Sequence, residues 1–524
     1  MVIVNTVKKN HYQDSMKLMQ LSQKLSAIPG VKKASAIMAT EANIRMLKEA
    51  GLIETIPDSA TANDLMVAVQ ADSEEICKDA IKRLDSLLAP GGEPGFESKK
   101  RYKNLDSAYG AVPGANLAIV SVPGMFAKLE VAKAIEKGLH TFLFSDNLTI
   151  EEEIELKERA RERGLLVMGP GCGTAVINGV GLGFSNVLNR GPIGVVAASG
   201  TGLQEVTCII NNLGSGISHA IGVGGRDLSE EVGGIMTFDA LGLLEKDDNT
   251  EVLILISKPP SMNVAEKILN TINRSKKPAV ICFLGSEIRE GNGNLIFVST
   301  LEDAALCALR LARGNGKHLC VNGGWKKEAD MLVKSLGPGQ RYLRGLFSGG
   351  TLCYEAQQVL QPILGDIYSN APLNKDYKLK DSDRSERHTC LDLGEEEYTV
   401  GRPHPMIDAQ LRSERLISEA ARSNVAVILF DIVLGYVASP DPAGDLLPAI
   451  KKAKKAAMKK RRKLAFVSHV CGTEKDPQGL DKQEEKLRSE GVLVLPTNAL
   501  ASRVAGLIAA RGKKEIGIQG REGI

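Results

Sequence analysis

The 524-residue sequence predicts an α/β protein built from several doubly wound units, with a small α+β domain in front. Three features predict it. Short, wholly apolar runs such as Val252–Ser257 and Ala279–Phe283 read as strands buried on both faces, and helical patterns separate them. Two distant segments repeat one pattern, Val195-Val196-Ala197-Ala198-Ser199-Gly200-Thr201-Gly202-Leu203-Gln204-Glu205 and Leu346-Phe347-Ser348-Gly349-Gly350-Thr351-Leu352-Cys353-Tyr354-Glu355-Ala356. Each reads as strand, glycine turn and helix start. Finally, 53 glycines against 4% aromatics suit tight turns and close backbone approach rather than base stacking.

Residues 1–88 predict the small α+β domain, of ferredoxin-like size. Its strands are Val2–Val7, Ala34–Ala39 and Asp64–Val69, and its helices are Asp14–Ala27, Glu41–Ala50 and Glu74–Leu88, the last capped by Ser73. Residues 89–113 hold Pro90-Gly91-Gly92 and Pro94-Gly95 and read as a linker. In 114–190, strands Leu117–Val120, Thr141–Phe144 and Leu165–Met168 alternate with helices Phe126–Lys137 and Ile150–Arg163, a βαβαβ run. Residues 191–330 and 331–524 each contain one glycine repeat and read as copies of a flavodoxin-like unit. The second copy has strands Val425–Asp431, Leu464–His469 and Gly491–Leu495.

Composition narrows the function. A net charge of +3 over this length gives no support for nucleic acid or an anionic membrane as a partner. Lys451–Lys463 carries nine Lys or Arg, but without aromatics it reads as a solvated helix face. The start, Met1–Lys9, has no apolar targeting stretch and no segment approaches a membrane span, so a cytoplasmic location is expected. Nine scattered cysteines without a CxxC pair, and only seven histidines, point to buried thiols and to no metal site.

The repeats are the first candidate sites. Ser199, Gly200, Thr201 and Gly202 offer hydroxyls and backbone amides at a helix N-terminus, where unpaired N–H groups and the helix dipole favour a phosphate or carboxylate. Ser348, Gly349, Gly350 and Thr351 do the same. A capped turn accounts for either alone, whereas duplication after a buried strand favours anion binding. Glu205 and Glu355 follow in the first turns, where the dipole favours a carboxylate whatever its role and where it could also orient a substrate. Asn178 follows a strand end and suits a ligand amide or carbonyl, while Cys172 has no basic neighbour in sequence to activate it. In Gly401-Arg402-Pro403-His404-Pro405 the prolines stiffen a loop carrying a guanidinium for an anion and an imidazole for a proton; a structural turn is the rival reading. His469 and Asp431 end strands, with Asp476 and Gln478 close to His469 in sequence.

These residues resemble the FdrA family, related to the alpha subunit of succinyl-CoA synthetase, over essentially all of residues 1–524. The markers are Gly191 through Glu205, His219 through Gly234, Gly401 through Asp408 and His469 through Gln478. The resemblance implies a Rossmann-like CoA-binding-type domain at 114–190 and flavodoxin-like CoA-ligase-type domains at 191–330 and 331–524. It also implies that Glu355, and less closely Glu205, match glutamates that hold a catalytic phosphohistidine. The sequence departs from that pattern twice: Gly285–Gly293 contains no histidine, and Ser121–Phe126 offers one glycine where several are usual.

FdrA-like proteins are also connected with oxamate carbamoyltransfer in allantoin catabolism, acting with separate subunits. The resemblance therefore implies a subunit interconverting oxalurate plus phosphate and oxamate plus carbamoyl phosphate. One glycine-rich helix start would bind phosphate, Arg402 the oxamate carboxylate, and His404 or backbone amides the oxyanion, with Glu205, Glu355 and His469 as further catalytic candidates. Self-association is expected, and no cofactor is firmly implied. Acyl-CoA synthesis, which brings CoA or a nucleotide, and a noncatalytic scaffold are the alternatives.

Overall fold

The computed structural model describes residues 2–11, 13, 15–26, 28–49, 51–53, 60–88, 102–286, 294–313, 325–400 and 402–511. Most of the predicted linker, the segment 287–293 and Gly401 lie outside them. The chain divides into two compact units, one of residues 1–101 with 394–410, the other of 102–393 with 411–524.

The first unit is built on an antiparallel sheet in the order Val2–Lys8, Leu65–Ala71, Val31–Met38. Leu65 to Val69 is wholly buried because the central strand is covered on both faces, by clusters that include Leu18, Leu21 and Leu25 on one side and Ile44, Leu47 and Leu52 on the other. Ser73 caps its helix by accepting from Ile76 N–H, as the sequence predicts. The sequence does not predict that Gly394–Gln410, with the short helix Glu396–Thr399, groups with this unit.

Among the described residues the second unit holds three sheets. Leu117–Val120, His140–Leu143 and Val167–Met168 form a parallel three-stranded layer. A seven-stranded sheet runs Leu295–Phe297, Ala279–Phe283, Val252–Ser257, Arg190–Ala197, Ile217–Gly222, Thr174–Ile177, Val180–Gly183. Its last two strands form an antiparallel hairpin. Those hairpin residues were expected in the 114–190 domain, but their edges pair with the next sheet. The segment predicted as linker up to 113 also differs: Leu105–Ala111 is a helix, held by a capping box between Asn104 and Ser107. The third sheet is all parallel: Ile367–Tyr368, His388–Asp392, Tyr342–Phe347, Val425–Val433, Ala465–Cys471, Leu493–Leu495.

One buried ion network ties the first two layers. Lys157 Nζ, from helix Ile150–Arg161, donates to Glu153 Oε1 at 2.6 Å, Asp227 Oδ1 at 2.7 Å and the Val223 carbonyl at 3.1 Å. All three ammonium protons are thereby used, which is what makes a fully buried lysine tolerable. The basic run lies largely on helix Pro442–Lys459, with Ala453 and Ala457 buried and Lys451, Lys452, Lys455 and Lys459 exposed, a solvated face. Among the described residues no helix is long and apolar enough to cross a membrane.

Candidate functional site

The two glycine repeats meet. Helix Gly200–Asn212 and helix Gly350–Leu364 start against one another, with Ser199 Oγ 2.5 Å from Thr351 Oγ1 and Thr351 N–H donating to Thr201 Oγ1 at 3.3 Å. A Cβ on Gly349 would lie 2.9 Å from Thr201 Cγ2, so glycine is what permits this approach. Two positive helix ends therefore converge, and their dipoles favour negative charge at the junction.

The second cradle is already filled. Ser348 N–H and Gly349 N–H each donate at 2.8 Å to a carboxylate oxygen of Asp431, and Ser348 Oγ adds contacts at 3.0 Å. Arg412 Nη1 donates to Asp431 Oδ1 and to its carbonyl, both at 2.7 Å. The anion preference predicted for Ser348, Gly349, Gly350 and Thr351 is met at Ser348 and Gly349 by the protein's own carboxylate, and the Asp392 carboxylate lies against Gly350. The first cradle differs. Ser199 Oγ accepts from Gly202 N–H at 3.0 Å, while Ser199, Gly200 and Thr201 are partly accessible.

Behind the junction the structure gathers three predicted residues. His469 Nε2 lies 2.7 Å from Glu205 Oε2, and His469 Nδ1 lies 3.1 Å from the Leu495 carbonyl. A carbonyl only accepts, so Nδ1 carries a proton; Nε2 facing a carboxylate carries the other, making an imidazolium–carboxylate pair. Burial opposes that charge, but Glu205 outweighs it and holds His469 well above the usual histidine value. Asn498 links the two glutamates: its N–H donates to Glu205 Oε1 at 2.9 Å and its Nδ2 to Glu355 Oε2 at 2.8 Å. Burial, and then the Glu205 charge, push Glu355 up to about 8 against the pull of the Asn498 and Leu301 hydrogen bonds. Glu205, His469 and Cys471 also bring ligand-type atoms within 4.8 Å of one another, where no metal site was expected.

Other predicted residues have structural work. Asn178 sits exposed at φ 51° in the turn of the antiparallel hairpin, accepting from Arg190 Nη1 at 2.7 Å. The predicted strand does end at Met168, but a further strand, Thr174–Ile177, follows it and carries Asn178 into a hairpin turn. Arg402 Nε donates to Asn43 Oδ1 at 2.6 Å, and His404 Nδ1 accepts from Met406 N–H at 3.3 Å, both within the first unit. Asp476 accepts from Asn186 Nδ2 and Thr473 N–H at 2.8 Å, and Gln478 donates to the Gly435 and Ser439 carbonyls. Cys172 is buried and its thiol is pushed up to about 12 by that burial. Native protein treated with iodoacetamide at pH 8 should therefore leave Cys172 unmodified by peptide mass spectrometry, while unfolded protein is alkylated there.

Comparison with known proteins identifies the family. Residues 346–508 match the CoA-ligase family, 189–285 the CoA binding domain, and 1–102 the AllF heavy metal-associated domain. The chain is 41% identical over 505 residues to the uncharacterized protein YahF of Escherichia coli K12, covering 96% of this chain and 97% of that one. The chain belongs to the FdrA family, related to the succinyl-CoA synthetase alpha subunit. Its FdrA-type architecture pairs CoA-binding and CoA-ligase-like folds with a small N-terminal domain. The CoA binding domain match falls where the first ligase-like domain was expected, not on 114–190. Similarity to the alpha subunit 2 of the ADP-forming succinate–CoA ligase of Archaeoglobus fulgidus is 26% identity over 148 residues, 28% of this chain and 50% of that one. A solved dinucleotide-forming acetyl-coenzyme A synthetase 1 of Ca. Korarchaeum cryptofilum aligns over 80% of this chain and 87% of its own, with 15% identity and a TM-score of 0.34. In this FdrA-family chain the sequence reading missed Arg412, Asn498 and Thr174, whose partners or neighbours lie on other elements.

Proposed function

We propose that this chain serves acyl-phosphate chemistry of the acyl-CoA synthetase kind, holding a phosphoryl group at the start of helix Gly200–Asn212. The observation that carries this reading is the convergence of two helix N-termini at Ser199 and Thr351, with Ser199, Gly200 and Thr201 partly accessible. Kinship with the CoA-ligase family, among them the alpha subunit 2 of an ADP-forming succinate–CoA ligase, supports the reaction class. The buried Glu205–His469 pair and Glu355 support the helix starts from behind.

A second reading rests on one sequence fact. Gly285–Gly293 has no histidine, so a phosphohistidine relay has no acceptor there. Carbamoyl transfer needs none: the amide nitrogen of oxamate bonds to the carbamoyl carbon of carbamoyl phosphate, the C–O bond to phosphate breaks, and the nitrogen loses a proton.

The test is to assay the chain with its partner subunits, once with CoA, nucleotide and a carboxylate, and once with oxalurate and phosphate. CoA-dependent product supports the first reading; carbamoyl phosphate formed without CoA supports the second. Either activity should fall at least tenfold in Gly200→Val, whose side chain would occupy the phosphoryl position. An undiminished rate in that variant would remove the helix start from the chemistry.

A further inference from the structure

Thr174 opens the hairpin strand Thr174–Ile177 and is 1% exposed, yet its Oγ1 has no hydrogen-bond partner. It faces the first cradle: a Cβ placed on Gly200 would lie 3.7 Å from Thr174 Oγ1 and 3.7 Å from Gly173 Cα. A buried hydroxyl without a partner is destabilising, and valine would fill the same space without that cost. The hydroxyl is therefore unexplained by packing. By helix geometry the N–H groups of Gly200 and Thr201 also lack an intrahelical acceptor, whereas that of Gly202 is used by Ser199.

We propose that Thr174 Oγ1 and the first-turn amides of Gly200 and Thr201 form one receptor for a phosphoryl group, with Thr174 supplying the hydroxyl donor that fixes its orientation. The proposal rests on reading this helix start as a phosphoryl site and adds a positioning residue to it. The amides point along the helix axis, while Thr174 approaches from the hairpin, so donors from two elements would reach different oxygens of one tetrahedral group. Thr141 is the contrast: it too is a buried threonine with an unpartnered hydroxyl, but it lies on strand His140–Leu143 of the other parallel layer.

The experiment titrates full-length protein with inorganic phosphate and, separately, acetyl phosphate, reading affinity by calorimetry and the ligand-induced rise in thermal midpoint. Thr174→Val should bind both ligands about tenfold more weakly, the loss of one hydrogen bond to a charged group. Without ligand it should be at least as stable as wild type, which a merely structural hydroxyl would not allow. Thr174→Ser should restore binding, and Thr141→Val should bind like wild type. Wild-type affinity in Thr174→Val, or a loss confined to acetyl phosphate, would overturn the assignment while leaving the helix start as the phosphoryl site. Absence of binding by the wild-type protein would overturn both.

Discussion

Replacing His469 with leucine is expected to lower the thermal midpoint by roughly 3 to 6 °C, from a loss of about 3–5 kcal/mol. The cost comes from what is left behind. Glu205 is 1% exposed and its Oε2 loses the imidazolium 2.7 Å away, so a buried carboxylate stands without its counter-charge. Removing both charges in Glu205→Gln/His469→Leu should recover part of the loss, because the remaining groups need only ordinary hydrogen bonds. An unchanged midpoint in His469→Leu would show that the pair is not charged in the folded protein. The pair also sets a pH dependence. His469 is raised above its ordinary 6.5, so its contribution is fully present below pH 6.5 and is lost as pH rises through the folded value. Glu355, raised from 4.5 to about 8, acts in the same direction: the folded state holds a proton the unfolded chain releases, and stability falls across that interval. Thermal midpoints measured from pH 5 to 9 should therefore decline toward the alkaline end, less steeply in the double variant.

Asp431→Ala should be comparably damaging, again about 3–5 kcal/mol. It strips the acceptor from Ser348 N–H, Gly349 N–H and Arg412, the last only 2% exposed. It should also be rescuable. The variant leaves two amides and a guanidinium around a carboxylate-sized space, so added formate should raise its midpoint with saturation while wild type does not respond. A variant as stable as wild type, or one indifferent to formate, would show that the second cradle does not select for negative charge. The same variant separates the two repeats: if the Gly200 cradle alone serves the substrate, residual phosphate affinity in folded Asp431→Ala stays near wild type.

Helix starts, strand runs and the N-terminal domain were legible because their signals are local. Ser73, Ser199 and Gly350 each act within one turn of where they stand, and the apolar run Val252–Ser257 can only be a fully covered strand. The hairpin Thr174–Gly183 was not legible, since Thr-Ala-Val-Ile and Val-Gly-Leu-Gly are too short and too weakly patterned to announce two strands. Nor was the second cradle's occupant: Asp431 was visible as a strand end, but its partner Arg412 lies on a helix whose facing direction only packing determines.

The amino-acid order by itself determined that two strand–glycine–helix units exist, that each places a glutamate shortly beyond its glycines, and that Gly285–Gly293 after the first contains no histidine. Those are statements about a few consecutive residues, set by backbone sterics and side-chain chemistry. Tertiary structure alone decided that the two units face each other and that Glu205 meets His469 across 264 residues of chain. It also decided that Asp431 occupies one cradle while Thr174 overlooks the other. The reason is physical: an anion preference is a property of a helix end, but what satisfies it depends on which distant groups the packing of sheets brings within 3 Å, and no local pattern carries that distance.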